Sequence, residues 1–289
     1  MIHEIHEIHE IGAIDTKATG QMLLRRFQHN CGCARTLQKS ETEARNRMEK
    51  INIELAGIPL ELTLGYKMFR DRYADFQTEK KPCACIEITP EQCARAARGY
   101  EPGTLPESVE DLELCAKACA ALLPHGRAII HAVCFVWCGK AWLICAPSGV
   151  GKTTHYKQWK RLFPNEVEML NGDKPVLNFE KQYVTVSASP WAGKENMRQL
   201  RTASLGGIVF LAQDKQNIIK RLSPKEAGVR LFLQFIIPCD NAEQVRFAAQ
   251  YTERILERTP VWLLRNRGDG ASAELCRRTL ESELCCADN

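Results

Sequence analysis

The chain has 289 residues, of which 45% are hydrophobic and 26% are charged, a balance typical of a globular protein with an ample core. Its formal net charge of +4 is small, and no Lys/Arg block is interleaved with aromatic residues, which argues against nucleic acid as a partner. No apolar run approaches the ~18 residues of a membrane span, and no signal peptide opens the chain. We therefore expect a cytoplasmic protein that does not associate with membranes.

Fourteen cysteines are many for a cytoplasmic chain, but none forms a C-x-x-C pair. Several lie in apolar segments, as Cys134, Cys138 and Cys145 do. We expect reduced, mostly buried thiols that behave as small apolar residues. A zinc or iron–sulfur site assembled from distant cysteines is an alternative that their spacing does not support.

Residues 1–47 differ from the rest of the chain. The first eleven residues repeat Ile-His-Glu and place His3, His6 and His9 three residues apart, where a helix would align them for a metal. Low complexity is the simpler interpretation. Because Met48 directly precedes a strand-like pattern, we predict that residues 1–47 are a variable, disordered extension before the natural start.

Residues 48–124 are predicted to form a small α+β lobe. Residues 51–55 and 58–64 alternate apolar and polar side chains around Ala56-Gly57, which predicts a β-hairpin. A strand is predicted over 83–89 and a helix over 111–123, with a loop between them.

Residues 128–137 and 141–145 are predicted strands joined by a tight turn at Gly139-Lys140, so they should form a second hairpin. Its second arm leads directly into a glycine-rich segment. In most proteins with such a segment, helical crossovers make the neighbouring strands parallel, so the hairpin indicates a different topology.

The glycine-rich segment 146–154 reads Ala-Pro-Ser-Gly-Val-Gly-Lys-Thr-Thr and precedes a predicted helix. This order is typical of a P-loop, whose backbone amides and helix N-terminus hold the phosphates of a nucleotide. Lys152 is predicted to reach the β/γ-phosphates and Thr153 to bind Mg²⁺. Ala146 replaces the usual first glycine, which is tolerable if its φ stays negative. The residues expected to contact the nucleotide are Ser148, Gly149, Val150, Gly151, Lys152, Thr153 and Thr154.

An acidic residue, Asp173, follows the next predicted strand, over 166–170. Phosphoryl transfer needs Mg²⁺ to neutralise the phosphates and a group that accepts the hydroxyl proton, and a carboxylate can serve either purpose. Asp173 is therefore a candidate base and metal ligand. The alternative is a plain hairpin turn between strands over 167–170 and 176–179.

A loop at 189–195 follows the predicted strand 183–187 and contains Trp191, Lys194 and Glu195. We predict that Lys194 neutralises the transferred phosphate and that Trp191 lines the nucleotide or substrate pocket. The alternative is a packed surface loop with a tryptophan anchor.

The rest of the chain is predicted to cover the sheet and to make subunit contacts in a homo-oligomer. The strand pattern 206–214 ends at Asp214, a second candidate Mg²⁺ ligand of the Walker B type. Ser223-Pro224-Lys225-Glu226 is typical of a helix start. Further elements are predicted as helices to about 235 and over 241–257 and 271–284, and as a strand over 261–264.

His131, Gly139, the P-loop and the hairpin between them resemble the core of HPr kinase/phosphorylase, which shares its fold with ATP-dependent phosphoenolpyruvate carboxykinase. The resemblance covers about residues 125–265 and includes the segments 172–175 and 190–195, which are similar to those of HPr-kinase-like proteins of unassigned substrate. It implies an α/β P-loop core with a mixed sheet in residues 125–289. It also implies a catalytic role for His131, which would otherwise be a hydrogen-bonded core histidine on a strand.

The resemblance departs at one position, because HPr kinase has two adjacent acids where this chain has Gly172 and Asp173. Either Asp173 serves both purposes, or the base lies elsewhere, or the chemistry is impaired.

The sequence therefore predicts an ATP- and Mg²⁺-dependent phosphotransferase whose catalytic residues are Lys152, Asp173, Lys194 and His131. The acceptor is expected to be a Ser/Thr or other hydroxyl on a small protein, a peptide or a metabolite. The alternatives are a non-catalytic, regulatory nucleotide-binding protein and a P-loop NTPase of another class that uses Asp214. Carboxykinase activity is not expected, because the chain is short and lacks an evident second metal-binding set.

Overall fold

The computed structural model describes residues 48–237 and 241–287, which form a mixed α/β structure with two β-sheets. The predictions for residues 1–47, including the three histidines of the Ile-His-Glu repeat, lie outside the described residues. The division of the chain at residues 47 and 124 stays a prediction. No helix in the described ranges has both the length and the apolar character that crossing a membrane requires.

The smaller sheet has three strands in the order β1-β2-β3, with β1 at Glu49–Leu55, β2 at Ile58–Leu64 and β3 at Ala84–Glu87. The predicted hairpin is confirmed, since β1 and β2 pair antiparallel and the turn residues Ala56 and Gly57 have φ angles of 48° and 87°. Strand β3 runs parallel to β2. A 3-10 helix at Arg70–Phe76, which the sequence analysis did not predict, lies between β2 and β3 in the chain.

Two helices complete this part of the chain, α1 at Pro90–Ala97 and α2 at Pro106–Leu122. Helix α1 was not predicted, although Thr89 and Gln92 cap it reciprocally. Helix α2 begins at Pro106 rather than at 111, because proline suits the first turn of a helix, where its missing N–H costs nothing.

The larger sheet has nine strands, with the path β4-β8-β9-β10-β6-β5-β7 and with β12 pairing both β10 and β11. Its strands are β4 (Arg127–Ile129), β5 (Val133–Trp137), β6 (Lys140–Cys145), β7 (Glu168–Asn171), β8 (Val176–Asn178), β9 (Thr185–Ser187), β10 (Thr202–Gln213), β11 (Ile218–Arg221) and β12 (Val261–Asn266). The helices that accompany it are α3 (Lys152–Leu162), α4 (Pro224–Phe232), α5 (Ala242–Leu256) and α6 (Gly270–Ala287), with a short 3-10 helix at Leu123–His125.

The predicted hairpin before the P-loop is confirmed. Strands β5 and β6 pair antiparallel, and Cys138 and Gly139 turn the chain with φ angles of 48° and 70°. On its other side β6 pairs parallel with β10, so the sheet is mixed at the strand that leads into the P-loop. Cys138 is exposed in the turn, which corrects the prediction that it lies inside an apolar strand.

One strand prediction is wrong, and the alternative of a plain hairpin turn at Asp173 is excluded. Residues 128–137 form two strands, because β4 pairs with β8 whereas β5 pairs with β6 and β7. Strands β7 and β8 likewise lie in different parts of the sheet, so residues 172–175 are a crossing segment and not a hairpin turn. The segment between β4 and β5 is hydrogen-bonded to the segment between β7 and β8. The Ala132 N–H donates to the Asp173 carbonyl at 2.8 Å.

Both faces of the larger sheet are covered. Along β5, the side chains of Val133, Phe135 and Trp137 enter one hydrophobic cluster, and those of Cys134 and Val136 enter another. Helices α3 and α6 cover the first face. The second cluster is shared with α2, α4, α5 and the smaller sheet, so one continuous core joins the two sheets.

Candidate functional site

A cavity of about 410 Å³ opens where the P-loop, the crossing segment 172–174 and the loop 191–197 meet. Its remaining wall comes from residues 69–112, which precede the P-loop in the chain. Its size is that of a small-ligand pocket. The lining residues are Phe69, Arg72, Tyr100, Thr104, Ser108, Asp111, Leu112, His131, Ser148, Gly149, Gly151, Lys152, Thr153, Thr154, Gly172, Asp173, Lys174, Trp191, Ala192, Gly193, Lys194, Glu195 and Met197.

The P-loop has a backbone that suits an anion. Gly149 and Gly151 have φ angles of 78° and 112°, a region that glycine adopts without strain. Ala146 does not have a positive φ, so the condition for an alanine at the first position of the loop is met. Helix α3 begins at Lys152 without a side-chain cap, which leaves its first N–H groups for a ligand.

The P-loop side chains divide between the cavity and the core. Lys152 is 8% exposed, and its Nζ donates to the Ala146 carbonyl at 3.0 Å across the loop that would hold phosphate. Burial lowers the pKa of Lys152, and the nearby Asp173 carboxylate opposes that shift. Thr153 and Thr154 line the cavity, whereas Val150 packs against the cluster under α3, so its predicted nucleotide contact reduces to its backbone.

Asp173 faces the P-loop from the crossing segment and contacts two basic groups. The Lys174 ammonium pairs with one carboxylate oxygen, and His131 Nε2 lies 3.3 Å from the other. Burial alone would raise the pKa of Asp173, but Lys174 and His131 together outweigh burial and hold the pKa well below its usual range. Asp173 is therefore ionised and fixed in orientation.

His131 lies in the break between β4 and β5, which corrects the prediction of a mid-strand position. Its backbone N–H donates to the Gln234 carbonyl at 2.8 Å, and its side chain lines the cavity. Burial and the Lys152 charge lower the pKa of His131, although Asp173 opposes them. A neutral imidazole at neutral pH donates from Nε2 to Asp173, so His131 orients the carboxylate.

The loop 191–197 packs closely on the crossing segment. A Cβ at Gly172 would lie 2.5 Å from the Ala192 carbonyl oxygen, and one at Gly193 would lie 3.3 Å from the Asp173 Cβ. With the loop packed in this way, position 172 has no space for the side chain of a second acid beside Asp173. Lys194 is exposed at the edge of the cavity, and Trp191 is 2% exposed and packs edge-on against Tyr73.

Three charged residues of the cavity were not found by sequence reasoning. Lys174 is buried beside Asp173, and Arg72 and Asp111, which pair at 3.1 Å, line the same cavity. Lys174 directly follows the candidate residue Asp173 in the sequence, and this adjacency is a signal that could have identified it. The other two lie far from the P-loop in the chain, and neither belongs to a motif that signals a site.

Asp214 does not take part in this site. Its carboxylate pairs with Arg265 at 2.5 Å, and it is not among the residues that line the cavity. The arrangement that a Walker B ligand needs is therefore missing for Asp214.

No group of three or more His, Cys, Asp or Glu side chains within residues 48–237 and 241–287 is arranged to hold a metal ion by itself. The described cysteines are free thiols, of which Cys83, Cys85 and Cys138 are exposed and the others buried. Burial raises the pKa of Cys119 and Cys145 to about 12, so these thiols are protonated and inert.

No family model matches the chain, and no curated protein matches it. Among solved structures, the HPr(Ser) kinase/phosphatase from Coxiella burnetii is similar, with a TM-score of 0.34 and 10% sequence identity. That match covers 56% of this chain and 99% of the other. The likeness is weak and at the level of fold only.

Proposed function

We propose that this chain is an ATP-dependent phosphotransferase with an HPr-kinase-like P-loop core, and that it phosphorylates a hydroxyl group. The observation that carries the proposal is the content of one cavity, which holds the P-loop residues Lys152 and Thr153 and also the oriented carboxylate of Asp173. A cradle for phosphate and a carboxylate for the acceptor are the two protein parts that phosphoryl transfer requires.

The P-loop residues bind and position the nucleotide. The amides of residues 149–154 and the start of α3 contact the phosphates, and the Lys152 ammonium leaves the Ala146 carbonyl to contact the β/γ-phosphates. The Thr153 hydroxyl and Asp173 are suited to hold Mg²⁺, which when bound neutralises charge on the phosphates. Lys194, at the edge of the cavity, adds positive charge near the transferred group.

Asp173 orients the acceptor. The acceptor oxygen forms a bond to the γ-phosphorus while the bond from that phosphorus to the bridging oxygen breaks, which releases ADP. The hydroxyl proton passes to the Asp173 carboxylate. Because phosphoryl transfer has a loose transition state, little proton transfer is needed early, and a carboxylate of low pKa still serves by alignment.

A nucleotide-binding protein without transferase activity is the second candidate. It is favoured by the engagement of Asp173 with Lys174 and His131 and by the lack of space for a second acid at Gly172. In that case the cavity would bind nucleotide and the carboxylate would only stabilise the fold.

Binding and turnover of Mg²⁺·ATP by the wild-type protein, Asp173→Asn and Asp214→Asn separate the two candidates. We expect Asp173→Asn still to bind Mg²⁺·ATP through the P-loop, with weaker affinity because a Mg²⁺ ligand is altered, and to lose transfer of labelled phosphate to a cell extract, with Asp214→Asn matching the wild type. Turnover that survives Asp173→Asn removes Asp173 from the mechanism. Binding without any transfer by the wild type favours the second candidate.

A further inference from the structure

One wall of the cavity comes from residues that precede the P-loop in the chain. It contains Phe69, Arg72, Tyr100, Ser108 and Asp111, from the segment around the 3-10 helix at Arg70–Phe76 and from the segment that leads into and includes α2. These residues line the same cavity as Lys152 and Asp173. A substrate that reacts at the P-loop therefore has this wall as a neighbour.

Arg72 is the charged group that this wall offers to a ligand. Its Nη1 donates to Asp111 Oδ2 at 3.1 Å, and its guanidinium carbon lies 3.9 Å from the centre of the Phe69 ring. The carboxylate and the ring fix the plane of the guanidinium. Its Nε and Nη2 make no hydrogen bond to any part of the chain that the structure describes. A planar, oriented guanidinium with free N–H groups is suited to a carboxylate.

The other charges between Arg72 and the P-loop are already compensated. Lys174 pairs with Asp173 and also interacts electrostatically with Asp111, which in turn pairs with Arg72. Tyr73 donates to the second oxygen of Asp111 at 2.7 Å, so this buried carboxylate has partners on both oxygens. Charges thus alternate from Lys152 through Asp173, Lys174 and Asp111 to Arg72, which leaves positive groups at the two ends.

We propose that the acceptor is a small hydroxy acid whose carboxylate binds Arg72 while its hydroxyl lies at Asp173. This inference rests on the proposed phosphotransferase activity and specifies its substrate. The cavity has a volume of about 410 Å³, the size of a small-ligand pocket, which favours a small molecule as the acceptor. The reaction converts ATP and the hydroxy acid into ADP and the phosphorylated acid, with the hydroxyl proton released through Asp173.

The test measures binding and transfer in the full-length protein. The probes are glycerate, 3-hydroxybutyrate and lactate, and their neutral counterparts are glycerol, 1,3-butanediol and 1,2-propanediol. Calorimetry gives the affinity of each probe for protein saturated with Mg²⁺ and a non-hydrolysable ATP analogue. Formation of the phosphorylated acid from labelled Mg²⁺·ATP, with the ADP released above the rate measured without acid, gives transfer.

We expect at least one hydroxy acid to bind and its neutral counterpart not to bind. Arg72→Gln should weaken that binding about 10- to 100-fold, because a charge-assisted pair of hydrogen bonds is lost. Arg72→Lys should restore part of it, and the affinity for the ATP analogue should not change. Arg70→Gln is the matched control, since Arg70 lies two residues away and pairs with Glu49 outside the cavity.

The possible outcomes separate a failure of the acceptor assignment from a failure of the proposed phosphotransferase activity. The acceptor assignment alone is overturned if the protein binds nucleotide but none of the three acids. It is also overturned if Arg72→Gln and Arg72→Lys both bind the acid as the wild type does. Transfer of labelled phosphate only to extract protein overturns it too. Failure to bind nucleotide overturns the phosphotransferase proposal itself. A thermal melt shows whether each Arg72 variant is folded at the temperature of the assay.

Discussion

Lys152 shows how one side chain prepares the cavity for a polyanion. Its ammonium is buried and bonds to the Ala146 carbonyl of its own loop. Because burial lowers its pKa, an anion that replaces this carbonyl gains a strong, desolvated partner. The fold thus holds the lysine at the loop that is proposed to bind phosphate.

We predict that Lys152→Ala weakens the affinity for Mg²⁺·ATP by about tenfold or more, since charged hydrogen bonds contribute about 1.5–3 kcal/mol. Displacement of a fluorescent nucleotide measures the affinity. Lys225→Ala, at an exposed position of α4 outside the cavity, should bind as the wild type does. Equal affinities for the two variants would show that the loop does not hold phosphate through Lys152.

His155, which follows the P-loop threonines, illustrates a buried histidine without a place in the cavity. It is 1% exposed, and its Nε2 accepts a hydrogen bond from Trp159 Nε1 at 3.1 Å. Its Nδ1 has no hydrogen-bond partner in the described part of the chain. Burial lowers the pKa of His155 to about 4, so the folded protein holds it neutral.

This histidine should make the fold sensitive to acid. The unfolded chain takes up a proton near the usual pKa of ~6.5 and the folded chain does not, so stability is lost as the pH falls below that value. Between pH 7.5 and pH 5 the contribution is about 2 kcal/mol. Urea unfolding at the two pH values should show a smaller loss for His155→Gln than for the wild type.

The matched control for this prediction is His125→Gln, because His125 is exposed in the turn before β4. It should lose as much stability at pH 5 as the wild type does. A loss of equal size in His155→Gln would mean that other groups set the acid response.

At the scale of elements, the sequence predicted what depends on near neighbours in the chain. The β5–β6 hairpin follows from its turn at Cys138 and Gly139, and the start of α4 follows from the reciprocal bonds between Ser223 and Glu226. Interactions among residues that lie close together in the chain determine both the hairpin and the helix start. The P-loop is of the same kind, since strand, glycines and helix start adjoin one another.

The sequence did not predict what depends on distant partners. The run 128–137 is apolar except for His131, and the choice of pairing strands divides it at that position. A single polar residue within an apolar run is also compatible with one unbroken buried strand, so the pattern alone did not locate the break. For the same reason Arg72 and Asp111 could not be assigned to the cavity, because the fold alone brings them to it.

Two glycines in different elements allow the effect of packing to be separated from that of conformation. At Gly207 in β10, a Cβ would lie 2.7 Å from the rings of Trp142 and Trp262. At Gly228 in α4, it would meet only Leu256 at 3.8 Å, an ordinary contact. Neither has a positive φ, so alanine is conformationally acceptable at both positions.

We predict opposite signs for the two substitutions. Gly207→Ala should destabilise the protein by about 1–3 kcal/mol, because two buried tryptophans must move to admit the methyl group. Gly228→Ala should stabilise it by about 0.5–1 kcal/mol, since alanine favours a helix interior and restricts the unfolded chain. Chemical denaturation measures both, and a Gly207→Ala variant as stable as Gly228→Ala would contradict the packing of β10 against the tryptophans.

At the scale of the whole molecule, the hydrophobic core passes from one sheet to the other. The cluster that contains Leu60 of the smaller sheet also contains Val186 and Ile208 of the larger one. The cavity is bounded by residues of both parts, since Arg72 and Lys152 line it together. We therefore expect the two parts to unfold as one cooperative unit.

The five tryptophans of the chain all lie between residues 137 and 262, so their fluorescence reports mainly on the part that contains the larger sheet, and Trp191 also reports on its contact with Tyr73. Leu60 is fully buried in β2, and Leu60→Ala should cost about 2–5 kcal/mol because it leaves a cavity in the shared core. If unfolding is cooperative, this distant substitution shifts the tryptophan transition and the far-UV circular dichroism transition by the same amount.

The control is Leu105→Ala, at a position that is 38% exposed in the same part of the chain. It should shift neither transition by more than about 0.5 kcal/mol. A tryptophan transition that stays in place while circular dichroism shows an earlier phase would mean that residues 48–124 unfold alone, and that the wall carrying Arg72 can detach from the P-loop.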